Sequence, residues 1–306
     1  MTNKQQYCDN ATLLRQLPVF YQPWYLDIFG LRWDVWLHED DYHWLVFPFF
    51  KEKKAGISIS RPPAYTPYYG PYFLPKNDQC PNKQLLDREL ISSIPKMGMV
   101  YLQPHYSMDC GVLQQERFRH IDRVTHVLDL NQEEDVLWQN LHYMRRKNIN
   151  KAAKELVLYP NTFDTDLYYD WIKATYEARG DKLRQPRQLI KRYVTQVCKY
   201  NAAISNTYAD PKGMPVAVSL CLYDRLAAYS ILGANNPAVK HSAATTALLW
   251  QAITAAKKTG CGIFDFEGSS IPNIADFFGK FGSRRIEYKA WQQVNSLVWK
   301  MREKLA

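Results

Sequence analysis

The sequence predicts an α/β (α+β) chain of two domains, each a mixed, mostly antiparallel sheet flanked by helices. Three observations carry this. A chain of 306 residues exceeds one small core and suits two domains of ordinary size. Residues 203–232 read as three strands joined by Asp210-Pro211-Lys212-Gly213 and Asp224-Arg225, an antiparallel meander. Both halves also run in the same order of leading helix, antiparallel strands, helix and further strand, which suggests a duplicated plan with domains at 1–130 and 131–306.

In chain order, Gln16 to Phe29 places Pro23 at a helix start before Trp24, Leu26, Ile28 and Phe29. Trp33 to Leu37 and His43 to Phe50 read as a hairpin across Glu39-Asp40-Asp41. Ile57 to Leu74 starts as a strand and becomes a loop of prolines interleaved with Tyr65, Tyr68, Tyr69, Tyr72 and Phe73. So many aromatics are costly to leave in water, so the loop is expected to be ordered, either packed on its own domain or walling a cleft. Leu85, Leu86, Leu90, Ile91 and Ile94 give a helix over 83–94, and strands follow at Met99 to Gln103 and Val124 to Leu130.

The second half opens with Asn131 as an expected N-cap and Glu133, Glu134 and Asp135 in the first turn of a long helix running toward Lys154. Arg145, Arg146, Lys147, Lys151 and Lys154 lie on that helix with no acid among them. Spread over nearly three turns, they form either a broad basic surface or a set partly engaged with a ligand's phosphates. Helices are expected at 165–179 and 187–200, then the meander. A small-residue helix follows from near Ser242 to Gly260. Ile263 to Phe266 reads as a buried strand ending in the polar rim Glu267-Gly268-Ser269-Ser270. Beyond Pro272 a short amphipathic helix carries Ile274, Phe277, Phe278 and Phe281 and stops at Gly282. Residues 291–305 form a last strand or helix.

Composition narrows the class. Hydrophobic content of 46% and charged content of 23% are those of a soluble globular chain. No apolar run reaches the roughly 18–20 residues of a membrane span, and the first residues lack an apolar signal-type core, so a cytoplasmic protein without a membrane span is expected. The six cysteines show no C-x-x-C pair and no histidine at zinc-site spacing, so reduced thiols and no metal are expected. Residues 1–130 hold 14 Lys/Arg against 14 Asp/Glu and the remainder 25 against 16, which puts the whole net charge of +9 in the second half. Such asymmetry points to an anionic partner: nucleic acid, a nucleotide or a phosphorylated substrate. No Ser-His-Asp grouping, P-loop or H-E-x-x-H supports another enzyme class.

Two stretches carry chemistry. At Ile231 to Thr246 a strand ending Gly-Ala-Asn-Asn-Pro feeds a helix of small first-turn residues, whose unpaired N–H groups suit a pyrophosphate; alternatively Ser242 caps a helix packed closely on the sheet. At the end of the 263–266 strand, Asp265, Glu267, Ser269 and Ser270 gather two acids and two hydroxyls, although Ser270 also suits ordinary helix capping.

The patterns LHYMRRKNINKAAKELVLY, PVAVSLCLYDRLAAYSILGAN, the alanine-rich helix ending AAKKTG and above all IFDFEGSSIPNIADFFGKFG resemble the acyl-CoA N-acyltransferase (GNAT) superfamily, in the double-domain branch that contains the Fem-type peptidyltransferases. QLPVFYQPWYLDIF resembles that branch's opening helix. The resemblance implies two GNAT-like domains and an N-acyltransferase that moves an acyl or aminoacyl group from an activated donor, acyl-CoA or aminoacyl-tRNA, to an amine. The amine belongs to a small molecule or a cell-wall precursor. It maps Ile231, Leu232, Gly233 and Ala234 to the strand that polarises the donor carbonyl, and Lys240, His241, Ser242, Ala243 and Thr245 to the donor's pyrophosphate site. The chain lacks the family's glycine-rich Q/R-x-x-G-x-G/A loop, with VKHSAA in its place, and it has no long helical arm of the kind often found in tRNA-using relatives. Direct attack by an amine needs a base, oxyanion donors and a positioned acyl group. Glu267 is the expected base, with Asp265 as the alternative or as an anchor of the fold, and Ser269 the donor of a proton to the leaving group. Arg145, Arg146, Tyr68 and Tyr69 are candidate acceptor or phosphate contacts. The competing expectation is a non-catalytic module that binds an anionic glycan precursor or RNA.

Overall fold

Ile190, Tyr193, Val194 and Val197 recur at helical spacing, and in the computed structural model all four are fully buried on one face of a helix. Full burial of such side chains contributes about 1.5–3 kcal/mol each, which fixes which face turns inward. The structure describes residues 3–77, 83–239, 241–268, 271–297 and 299–300.

The chain divides into two compact units. The first comprises residues 1–123 with 287–306, and the second residues 124–286. The structural division therefore falls inside a strand, and the end of the chain belongs to the first unit.

In the first unit, α1 (Asn3–Asp9), α2 (Ala11–Leu14) and α3 (Pro23–Asp27) precede the hairpin of β1 (Trp33–Glu39) and β2 (His43–Phe50). Asp40 makes the turn, its Oδ1 accepting the amides of Tyr42 and His43, each at 2.8 Å. β3 (Glu52–Lys54), β4 (Ile57–Ser60) and β5 (Tyr72–Pro75) follow, then α4 (Lys83–Ser93), β6 (Met99–Leu102) and β7 (Arg119–Asp129). β5 joins the hairpin as a third strand, while β4 pairs with β3 and with β6, and the strand at Arg284–Val294 pairs with β6. The proline-rich loop is packed on its own unit: Tyr69 Oη accepts the Phe50 amide and bonds the Ser60 hydroxyl, and Tyr21 Oη donates to the Gly70 carbonyl.

From Val124 on, β7 belongs to the second unit. After it come α5 (Glu134–Asn140), α6 (Tyr143–Glu155), β8 (Val157–Pro160), α7 (Thr165–Glu177) and α8 (Arg187–Lys199). The meander is β9 (Ala203–Ala209), β10 (Pro215–Tyr223) and β11 (Ala227–Asn235), followed by α9 (Ala244–Lys258), β12 (Ile263–Asp265), α10 (Pro272–Gly279) and β13 (Arg284–Val294). Across the sheet the order is β7-β12-β11-β10-β9-β8, with β12 parallel to β11 and the other pairs antiparallel. Ala244, Ala247, Ala252 and Ala256 are all fully buried on α9; without bulk, they let the helix lie close on the sheet.

Several details differ from the sequence expectations. The long helix from Glu133 breaks at Leu141 and His142, because His142 starts a new helix. Its Nδ1 accepts the Met144 amide and its own amide bonds the Lys280 carbonyl. Asn131 caps no helix: its amide and side chain both bond Asp129. α9 begins at Ala244 with Ala243 as its uncapped N-cap, so Ser242 does not cap it. Among the described residues no helix is long and apolar enough to cross a membrane. Cys8, Cys110, Cys198, Cys221 and Cys261 are free thiols, and Cys80 lies outside the described residues.

Candidate functional site

The site begins where two parallel strands part. β11 and β12 pair from Ala227↔Ile263 to Tyr229↔Asp265. Beyond that point β12 ends, and the chain stays with β7 instead, the Phe266 amide bonding the His126 carbonyl at 2.9 Å. β11 runs on to Asn235 with no strand on that side among the described residues. Peptide groups on this open edge are free to meet a ligand. At the parting point β11 is also irregular: Leu220 faces Leu232 and Cys221 faces Ser230, so Ile231 is an extra, bulged residue. Bulges of this kind re-aim the backbone beside functional sites.

A cavity of about 730 Å³ fills the gap. Ile231, Leu232, Gly233 and Ala234 line one side, Thr245 and Leu248 of α9 another, and Glu267, Gly268 and the α10 residues Asn273, Ile274, Phe277 and Phe278 the third. Gly233 has only the Val218 carbonyl oxygen within 4 Å of where a Cβ would lie, so the cavity wall there is nearly bare backbone.

Glu267 lines the cavity at the turn that follows β12. Asp265 is almost fully buried, and its Oδ1 accepts both the Thr125 hydroxyl and, at 2.9 Å, the Glu267 amide. That bond folds the turn, and Glu267 sits in it with φ +52°, a left-handed conformation that costs a non-glycine residue on the order of 1–3 kcal/mol. Next to it, a Cβ on Gly268 would fall 1.4 Å from the Val124 carbonyl oxygen, so only glycine fits against β7. The turn is thereby held from both sides. Glu267 Oε1 is buried with no hydrogen-bond partner. Burial, and secondly the charge of Asp265, push the Glu267 carboxyl well above its usual range. A second orphan faces the same cavity: Ser219 of β10 lines it, and its Oγ is buried without a partner.

The other sequence candidates lie as follows. Ile231 to Ala234, Thr245 and Glu267 meet at the cavity. His241 is held by Glu155, Nε2 to Oε2 at 3.0 Å, on the approach to α9 with Ser242 and Ala243. Lys240, Ser269 and Ser270 lie outside the described residues. Arg145 is buried below α10, its guanidinium 3.9 Å from the Phe277 ring centroid and donating to the Phe277 carbonyl and the Thr246 hydroxyl. Arg146 donates to the Gln139 and Leu141 carbonyls, closing the end of α5. Tyr68 and Tyr69 are core residues of the first unit, Tyr68 packing on His105 and Tyr106. Sequence reasoning passed over Tyr176, Ser219, Ser230, Asn235 and Asn273, which also line the cavity. The register that gathers them joins segments far apart in the chain, and no local pattern marks it.

Residues 140–278 match the family model described as an acetyltransferase (GNAT) domain. A comparison with curated proteins found no significant match. Among solved structures, FemX is similar over 98% of this chain and 98% of its own, with TM-score 0.70 at 12% identity. A conserved protein of unknown function from Bacteroides thetaiotaomicron is similar over 88% of each chain, with TM-score 0.55 and 10% identity. The C-terminal domain of a lysylphosphatidylglycerol synthetase candidate from Agrobacterium fabrum covers 99% of this chain and 96% of its own, with TM-score 0.54 and 9% identity. At these identities the likeness is one of fold. The GNAT-domain match thus covers the part of the chain that holds this cavity, and the fold over nearly the whole chain is similar to that of FemX.

Proposed function

We propose that the cavity where β11 and β12 part is an acyl-transfer site, in which an amine attacks the carbonyl of an activated acyl donor, acyl-CoA, with Glu267 as general base. The observation that carries this reading is the pairing of an open β11 edge with a buried, unpartnered carboxyl oxygen on the same cavity. A volume of about 730 Å³ suits the acyl end and arm of such a donor. The nearly bare wall at Gly233 lets the donor lie against backbone, where edge N–H groups can hydrogen-bond its carbonyl oxygen as negative charge develops. The uncapped start of α9, approached through Ala243, suits the donor's pyrophosphate.

In the reaction the neutral amine nitrogen bonds the carbonyl carbon, its proton passes to Glu267, and the C–S bond breaks as the carbonyl re-forms, the departing thiolate taking a proton from water. A carboxyl raised by burial is a stronger base than an exposed one, so it is matched to this proton transfer. Asp265 acts as a positioning group, holding the turn through the Glu267 amide. The acceptor amine, on a small molecule or a cell-wall precursor, enters beside Glu267, and an aminoacyl-tRNA donor is the alternative source of the acyl group.

The test is amine-dependent release of free thiol from a series of acyl-CoAs. Glu267→Gln is expected to lower kcat about 10²–10⁴-fold with little change in donor binding. Full activity in that variant would remove Glu267 from the chemistry. Salt-sensitive RNA binding with no transfer from any donor would favour the non-catalytic alternative instead.

A further inference from the structure

The first unit holds a cluster of chemistry-bearing side chains unrelated to acyl transfer, at the β1–β2 hairpin. His38, Asp40 and His43 each offer a ligand atom, and these atoms lie within 4.8 Å of one another. Asp40 Oδ1 is committed to the turn amides of Tyr42 and His43, which leaves Oδ2 on the side of His38, 3.9 Å from Nε2. The other nitrogen of His38, Nδ1, lies 3.5 Å from Glu89 Oε2 of α4. A ring with one nitrogen on a cluster and the other against a carboxylate has the orientation that metal-binding histidines adopt, the carboxylate fixing tautomer and angle.

His43 supplies the second, independent observation. It is 2% exposed, with its ring 4.6 Å from Phe73, yet neither ring nitrogen has a hydrogen-bond partner. Its Nδ1 lies 3.0 Å from Asp40 Oδ1 without hydrogen-bond geometry. Leaving a buried imidazole nitrogen unpartnered is unfavourable, and a cation placed between His43 and Asp40 would take up the lone pair. The Lys76 ammonium is engaged by Glu39 at 2.7 Å and by the Asp40 carbonyl, while Glu39, Asp40, Asp41 and Glu89 leave the surroundings acidic.

We propose that His38, Asp40 and His43 form a binding site for a divalent cation of the zinc class, with Glu89 orienting His38, which would clamp the hairpin turn to α4. Two imidazoles and a carboxylate are the donor set that zinc and cobalt accept. Bond lengths of about 2.0–2.1 Å put ligand atoms roughly 3.3 Å apart, and the partly exposed His38 and Asp40 can close that distance. The site goes beyond the metal-free expectation from sequence, which found no C-x-x-C pair and no histidine at zinc-site spacing and passed over the H-x-D-x-x-H of this hairpin.

The experiment is titration of the metal-stripped full chain with Co²⁺, read by its visible absorption, and with Zn²⁺, read by calorimetry and by the melting midpoint. One equivalent of each ion is expected, with tetrahedral-type cobalt absorption and a midpoint raised by saturating Zn²⁺. Affinity is expected to fall at least ~100-fold in His38→Gln and about 10-fold in Glu89→Gln, the latter because it loosens a ligand without removing one. Asp40→Asn, which keeps the turn's amide acceptor, serves if His38→Gln does not fold, and it too is expected to weaken binding. The absence of saturable binding, or equal affinity in the wild type and in folded His38→Gln or Asp40→Asn protein, would overturn the proposal.

Discussion

Glu267 joins a left-handed backbone, a buried unpartnered oxygen and a carboxyl raised above its usual range in one residue. The folded state holds this proton more tightly than the unfolded chain does. Its contribution to stability is therefore fully present below the ordinary carboxyl range and is lost as pH rises toward the folded value. Glu267→Gln is accordingly expected to melt higher than the wild type at neutral pH and equally at about pH 4, as thermal scans across pH would show; a constant difference at every pH would contradict this. Around it, Thr125→Val removes a donor to buried Asp265 and is expected to cost about 1–3 kcal/mol in urea unfolding. Gly268→Ala has no room beside Val124 and is expected to leave little folded protein, visible as loss of a cooperative transition. The sequence offered the acids but not their division of labour. The burial of Glu267 and the anchoring of Asp265 depend on β7, whose residues lie far away in the chain.

At the scale of elements, local pattern carried most of what was legible. The meander recurs as three antiparallel strands, and the helical spacing of Ile190, Tyr193, Val194 and Val197 recurs as a buried face. The break between α5 and α6 was not legible, because the apolar spacing continues through Leu141 while the cause, His142 bonded to the Lys280 carbonyl, is a tertiary contact. Arg145 shows the same limit. Within a basic run it reads as surface, yet the aromatic faces of Phe277 and Phe281 make its burial tolerable. Its Nε lacks a partner, and its value lies in packing α6 under α10. Arg145→Met is therefore expected to change stability by less than about 1 kcal/mol, whereas Arg145→Ala should cost about 2–4 kcal/mol through the lost stem. Chemical denaturation of the two variants separates packing from charge.

For the whole molecule, each half-chain's order of elements announced two mixed α/β units, but not that the first unit takes back the end of the chain from Glu287. β13 begins just past Gly282, where the short amphipathic helix stops, and its pairing with β6 places the end of that strand in the first unit. The cavity, by contrast, lies wholly within the second unit, between β11, α9 and α10. The central claim, that this gap receives the acyl donor, is tested most directly by calorimetric titration of an acyl-CoA into the wild type and Gly233→Trp. The new side chain fills the cavity from a position where a Cβ meets no close neighbour. Stoichiometric binding by the wild type, abolished in Gly233→Trp at an unchanged melting midpoint, is the expected result. Equal binding by the two proteins, or none by the wild type across short and long acyl chains, would contradict it.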